Sequence, residues 1–276
     1  MMQAHERIGF VGGGNMASAI LGGLLRGGMD PAAVTVVEPH APARAQLRAT
    51  LGVQADALPV PALAGCAVVV WAVKPQQLQA AAQACAGRVA GALQLSIAAG
   101  IPCAAVARWT GAQRVVRAMP NTPALVGQGM TGLYADAAVG ADDRARVARL
   151  LAPTGALLWV PREADLDAVT ALSGSGPAYV FYLMEALVQA GAQMGLAPAD
   201  ALQLVGRTFA GAAAMALDSP EPLARLRERV TSPGGTTFAA LEHLAQAGVA
   251  QQLGAAALRA RQRAETLSRE LVDSPT

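Results

Sequence analysis

The chain has 276 residues, 53% of them apolar, 14% charged and 4% aromatic, with a formal net charge of +2. That length supports one large or two ordinary domains, each with a full core. The near-balanced charge, with arginines scattered along the chain and no basic patch interleaved with aromatics, argues against nucleic acid as a partner.

Of the 21 basic residues one, Lys74, is a lysine, a bias toward arginine that accompanies the alanine-rich composition. Cys66, Cys85 and Cys103 fall in apolar surroundings at no metal-ligand spacing. An odd count without a CxxC pair points to reduced thiols and a cytoplasmic setting. His5, His40 and His243 lie far apart and suggest no metal cluster. Met1 to Arg7 is short and polar, unlike a signal peptide.

In chain order, residues 8–12 read as a short apolar strand running into glycines, and Asn15 to Leu25 as a helix that ends at Gly27-Gly28. Val34 to Val37 is a second strand, closed by Glu38-Pro39, and Ala43 to Leu51 a helix ended by Gly52. Ala67 to Val73 is a continuous apolar run, as expected of a strand buried on both faces. Leu93 to Ala98 and Arg114 to Ala118 continue the series, with helices between. This alternation predicts βαβ units and a parallel sheet. Thr131 to Ala135 and Gly155 to Val160 read as further strands at one edge. Val89 to Ala107 is uncharged and of bilayer length, but Gly91, Gln94, Ser96, Gly100 and Pro102 interrupt it. It reads as a strand followed by a turn, and no membrane partner is expected.

After Pro161 strand signals stop and helices follow one another, over 163–173, 177–194, 198–217, 221–230, 237–247 and 249–271. The pattern divides the chain into a first domain over 1–161 and a second over 162–276. Segments such as Phe209 to Leu217 are apolar around much of the helix and predict burial on several sides. A subunit interface supplies that burial.

Gly12-Gly13-Gly14-Asn15-Met16-Ala17 fits G-x-G-x-x-G/A between a strand and a helix, the pattern that brings a pyrophosphate to a helix N-terminus. Glu38 ends the second strand, where an acidic residue bonds the adenosine ribose and repels a 2′-phosphate. Arg44 nearby offers a counter-charge, so NADH and NADPH both stay open. In open α/β sheets ligands collect outside the carboxyl ends of the strands. Three loops fall there: Lys74-Pro75, Ala98-Ala99-Gly100 and Met119-Pro120-Asn121-Thr122-Pro123.

The helical half holds two unusual segments. Ser173-Gly174-Ser175-Gly176-Pro177-Ala178-Tyr179 places glycine and serine ahead of a proline-initiated helix. Ser232-Pro233-Gly234-Gly235-Thr236-Thr237 presents backbone N–H groups and two hydroxyls at the start of the next helix, a mouth for an anion. Together they suit the two sides of a pocket for a small carboxylate.

These residues resemble pyrroline-5-carboxylate reductase. The motifs are VGGGNMA at 11–17, AVKP at 72–75, SIAAGI at 96–101, RAMPNTP at 117–123, SGSGPAY at 173–179 and SPGGTT at 232–237. The resemblance implies an α/β fold, an N-terminal Rossmann doubly wound sheet with a C-terminal all-helical dimerisation domain. It implies NAD(P)H-dependent reduction of 1-pyrroline-5-carboxylate to L-proline by a homo-oligomer, at least a dimer. By the same resemblance Val11, Gly12, Gly13, Gly14, Asn15, Met16, Ala72, Val73, Lys74, Pro75, Ile97, Ala98 and Ala99 hold the dinucleotide. Gly235, Thr236 and Thr237 bind the substrate, with Glu163 near it, and the substrate loop comes from the partner subunit. Glu38 departs from the family pattern, where many relatives carry a small or polar residue.

The chemistry needs a protonated ring nitrogen, and the motifs offer no histidine and no carboxylate beyond Glu163. A cyclic imine is basic enough to arrive as an iminium. Thr237 is therefore expected to orient the ring N–H, since a threonine hydroxyl is too weak an acid to protonate an imine. Lys74 reads as a structural or cofactor contact. Two other readings compete. A β-hydroxyacid dehydrogenase would need a lysine in the helical half, and no lysine follows Lys74. A non-enzymatic dinucleotide sensor would leave SPGGTT without a purpose.

Overall fold

The computed structural model describes residues 6–273; His5 and the rest of the first five residues, with 274–276, lie outside the described residues. The chain forms two compact units. One runs to Ser175 and takes in the chain from Ala260 onward, and the other is Gly176–Arg259.

The first unit holds strands β1 (Ile8–Val11), β2 (Val34–Val37), β3 (Ala55–Asp56), β4 (Val68–Trp71), β5 (Leu93–Ser96), β6 (Val115–Met119), β7 (Gly129–Ala135) and β8 (Gly155–Trp159). Its helices are α1 (Asn15–Arg26), α2 (Ala41–Leu51), α3 (Pro75–Cys85), α4 (Cys103–Thr110), α5 (Ala141–Leu151) and α6 (Asp165–Val169). Pro75 opens α3, where its missing N–H costs nothing, and Gly52 ends α2 in the left-handed conformation.

The strands lie in the order β3-β2-β1-β4-β5-β6-β7-β8. The first six are parallel and have the doubly wound order of dinucleotide-binding folds. The parallel run expected from the βαβ alternation ends at β6, and the strands expected at one edge follow it. β7 runs antiparallel to β6, and β8 runs parallel to β7. The short stretch 120–128 between β6 and β7 cannot make a crossover, so the chain turns back; α5 then supplies the crossover to β8. β3, only two residues long, is too short to carry a periodicity that the sequence could show.

Alternation along each strand divides the core between the two faces of the sheet. Ile8, Phe10, Val68, Val70, Leu93 and Leu95 pack with α1, α2 and α5 on one face. Val69, Trp71 and Val115 pack with α3 and α4 on the other. Each fully buried Leu or Ile contributes about 1.5–3 kcal/mol. The fully buried Gln94 is satisfied: its Oε1 accepts from Trp71 Nε1 at 2.9 Å, and its Nε2 donates to Val89 O and Ala92 O at 2.8 Å. Val89 to Ala107 is divided among a loop, β5, a turn and the start of α4, and no described helix is long and apolar enough to cross a membrane.

The helix expected over 163–173 is shorter and continues differently. α6 passes into a π-helical turn over Thr170–Gly174, closed by Ser175 N–H donating to Thr170 O at 2.8 Å. The open Gly/Ser segment expected before Pro177 is therefore helical backbone with a wide turn, a device common at functional sites.

The second unit contains α7 (Gly176–Gln193), α8 (Pro198–Asp218), α9 (Leu223–Arg229), α10 (Thr236–Gln246) and the first part of α11 (Val249–Asp273). α7 and α8 pack at small residues, with Gly191 against Ala201. Within Gly176–Arg259 only Gly191 and Ala201 are buried. Phe181, Tyr182, Met215, Leu217 and Val230 are exposed. So much open apolar surface marks an interaction face.

The three cysteines are free and buried. Burial pushes the Cys66 and Cys85 thiols up, and burial together with the nearby Glu163 carboxylate pushes Cys103 well up. Each folded-state pKa then lies above the unfolded value of about 8.5, so this stability is complete below that pH and is lost as pH rises toward the folded pKa. At about pH 8 a thiol-disulfide reagent is expected to spare the folded chain and to label all three thiols in guanidinium. The fall in unfolding free energy above that pH should be shallower in Cys103→Ala.

Candidate active site

Parallel register sets the site. β1, β4, β5 and β6 are aligned through Val11↔Trp71, Trp71↔Ser96 and Ser96↔Arg117, so the loops that follow them emerge at one edge of the sheet. Val11, the glycine turn, Ala72–Pro75 and Ile97–Ala99 are thereby brought together. The ladder runs one rung past the strands, with Ala72 N–H donating to Val11 O at 2.8 Å and Ile97 N–H to Trp71 O at 3.1 Å.

The glycine turn fits a dinucleotide by its own geometry. Gly12 has φ +100°, and a Cβ there would lie 2.5 Å from Ala72 O. A Cβ on Gly14 would meet nothing within 4 Å, so the mouth is open. Ser18 N–H, donating to Gly14 O, makes the first rung of α1, which leaves the N–H groups of Asn15, Met16 and Ala17 without intrahelical acceptors. Small residues, positive φ and free donors form a cradle for phosphate. Lys74, at the N-cap of α3, is exposed.

Glu38 is tied into this turn. Its Oε2 accepts from Gly13 N–H and its Oε1 from His40 N–H, both at 2.7 Å. Arg44 Nη1 donates to Glu38 O at 2.9 Å and to Pro39 O at 2.7 Å.

Glu163 is held beside the turn between β5 and α4. Its Oε1 accepts from Cys103 N–H at 2.7 Å and from Arg117 Nη1 at 2.9 Å. The Arg117 side chain is 10% exposed and that of Glu163 29%. Burial raises the nearby Asp167 carboxyl, an effect opposed by Arg117. The motifs assign Arg117 no role of its own, although a lone charge inside an apolar strand is a usable signal.

Asn121 is likewise one residue of a motif that gives it no separate role. Its Oδ1 accepts from Met130 N–H at 2.9 Å, and its Nδ2 donates to Ser173 O at 3.2 Å and Ser173 Oγ at 3.3 Å. It pins the π-turn to the end of β6 and the start of β7. Gly174 packs there so closely that a Cβ would lie 2.5 Å from Met119 Cε.

In the second unit, Gly235 caps α10 after a tight turn at Gly234, whose φ is +70°. The Gly235 N–H closes that turn on Ser232 O at 3.0 Å, and Ala239 N–H makes the first helical rung on Gly235 O at 3.1 Å. The donors left at the mouth are therefore those of Thr236, Thr237 and Phe238, one residue further on than the expected 235–237.

Residues 163–267 match the family model described as pyrroline-5-carboxylate reductase dimerisation, and residues 7–100 match NADP oxidoreductase coenzyme F420-dependent. A pyrroline-5-carboxylate reductase of Pseudomonas aeruginosa is 46% identical over 267 residues, 95% of this chain and 98% of that protein. The chain belongs to the pyrroline-5-carboxylate reductase family. A reductase structure from Coxiella burnetii is 36% identical, with a TM-score of 0.88, over 95% of this chain and 98% of that one. The Plasmodium falciparum pyrroline carboxylate reductase structure, with NADP bound, is 26% identical, with a TM-score of 0.86, over 96% and 99%.

The protein is thus an NAD(P)H-dependent oxidoreductase that reduces 1-pyrroline-5-carboxylate in proline biosynthesis. Its first half is the Rossmann-like cofactor domain and its helical half the dimerisation domain of a homo-oligomeric reductase.

Replacing Glu163 with Ala in the reductase leaves the buried Arg117 guanidinium unpaired. The expected loss is about 3 kcal/mol, the lower end of the range for a buried pair because Glu163 keeps some exposure. Urea unfolding measures it, and Glu163→Ala combined with Arg117→Met should recover much of the loss.

Proposed function

We propose that the reductase binds its substrate as the iminium carboxylate and works by orientation and electrostatics, without a side-chain proton donor. The observation that carries this reading is the open mouth of α10, with three N–H groups lacking helical acceptors beside the Thr236 and Thr237 hydroxyls.

The bound dinucleotide supplies a hydride to the C=N carbon. Val11 to Met16 hold its pyrophosphate, and Ala72 to Pro75 and Ile97 to Ala99 shape the nicotinamide side. Gly235 shapes the substrate turn, while the N–H groups from Thr236 onward take the carboxylate. Thr237 Oγ1 accepts from the ring N–H and fixes the face presented to reduction. Glu163 stands on the substrate side: both of its bonds fall on Oε1, and the anionic carboxylate favours the iminium.

The functional division falls at 161/162, supported by the family match that begins at 163. The assembly is at least a dimer, and the 232–237 loop acts across the subunit boundary. The exposed apolar helices of the second unit support this arrangement. Three free buried cysteines support a cytoplasmic setting.

Thr237→Ala should lower turnover about a hundredfold, as loss of an orienting contact does, with unchanged binding of the reduced dinucleotide. Unaltered turnover would sink the assignment. Lys74→Met should raise the KM for the dinucleotide and leave the pH profile of kcat in place; a shifted profile would make Lys74 the proton donor.

A further inference from the structure

We propose that Glu38 makes the reductase selective for NADH over NADPH, as a built-in anion at the adenosine end of the glycine turn. The inference rests on the turn at 11–16 being the dinucleotide mouth.

The carboxylate of Glu38 is fixed. Val37 O accepts from Gly12 N–H at 2.8 Å, Asp56 O accepts from Glu38 N–H at 2.8 Å, and the two carboxylate oxygens take Gly13 N–H and His40 N–H. These bonds lock the end of β2 to the fingerprint. A carboxylate has about four acceptor positions, so two stay free for hydroxyl donors. A ribose with vicinal hydroxyls offers two such donors, and the end of the second strand is where a doubly wound sheet meets that ribose.

A 2′-phosphate reverses the match. It removes one donor and brings negative charge against a carboxylate that cannot move without releasing two backbone N–H groups. Those same groups, Gly13 N–H and His40 N–H, could have bound a phosphate, but Glu38 already occupies them. Arg44 is the countervailing charge. Its Nη1 is engaged by Glu38 O and Pro39 O, so it serves the turn as a brace. Arg48, one helical turn on, has its Nη2 on Gln54 Oε1 at 2.7 Å.

Equilibrium titration of the full-length protein with NADH and with NADPH, followed by cofactor fluorescence, tests this without turnover. Wild type should bind NADH tighter by about tenfold or more, as a like-charge juxtaposition demands. Glu38→Ser should narrow or reverse that ratio by about tenfold. Glu38→Gln, which keeps an acceptor for one backbone N–H, should move it the same way and guards against a misfolded serine variant. Arg44→Ala should weaken both cofactors by a similar factor. Equal or NADPH-favouring binding by wild type overturns the proposal. So does an unchanged ratio in both Glu38 variants, or a loss confined to NADPH in Arg44→Ala. Binding of neither dinucleotide would instead strike the reading of the mouth itself, and the proposal with it.

Discussion

The parallel alignment of β1, β4, β5 and β6 is the constraint from which the cofactor half follows. Parallel neighbours must be joined by crossovers, and crossovers return every strand in the same direction. Each loop that follows a strand therefore emerges at the same edge, whatever its sequence. The glycine turn, the Ala72–Pro75 turn and the Ile97–Ala99 turn become neighbours because Val11, Trp71 and Ser96 share a register. Local sequence then decides only what each loop offers there: positive φ and free donors at the first, the exposed Lys74 at the second and the small Ala98 and Ala99 at the third.

Around that edge the polar side chains act mainly as ties between elements. Glu38 joins β2 to the glycine turn. Glu163 joins the chain before α6 to α4 and β6, with Arg117 as its buried partner. Asn121 joins β6, β7 and the π-turn. Each holds backbone that elementary packing alone would leave loose. A buried ion pair adds little net stability but strongly disfavours arrangements that separate its partners.

Much of this was legible in the chain itself. Val34–Val37 was read with its observed bounds, and the apolar run at Ala67–Val73 contains β4, because residues buried on both faces leave an unbroken apolar signature. Strand direction was not legible: nothing in Gly129–Ala135 differs in composition between a parallel and an antiparallel neighbour, and the length of 120–128 was the only clue. The π-turn escaped because Ser173-Gly174-Ser175-Gly176 carries the composition of a loop, while its backbone is held helical by bonds from Asn121, 52 residues away in sequence. The candidate site residues are assigned by motif, whereas the long-range partners that hold them, Arg117 for Glu163 and the Gly13 N–H for Glu38, are tertiary facts. The one-residue shift of donors at α10 depends on where a turn closes, which composition does not encode.

The nearly absent interior of Gly176–Arg259 has a consequence for how this protein keeps its shape. A segment in which only Gly191 and Ala201 are buried gains little free energy by folding alone, so much of its order has to come from association. Folding and assembly then obey one mass-action law. The melting temperature becomes a function of protein concentration, and dilution acts as a denaturant. A substitution at an exposed leucine of this unit would lower enzyme abundance in a cell before it touched any catalytic atom.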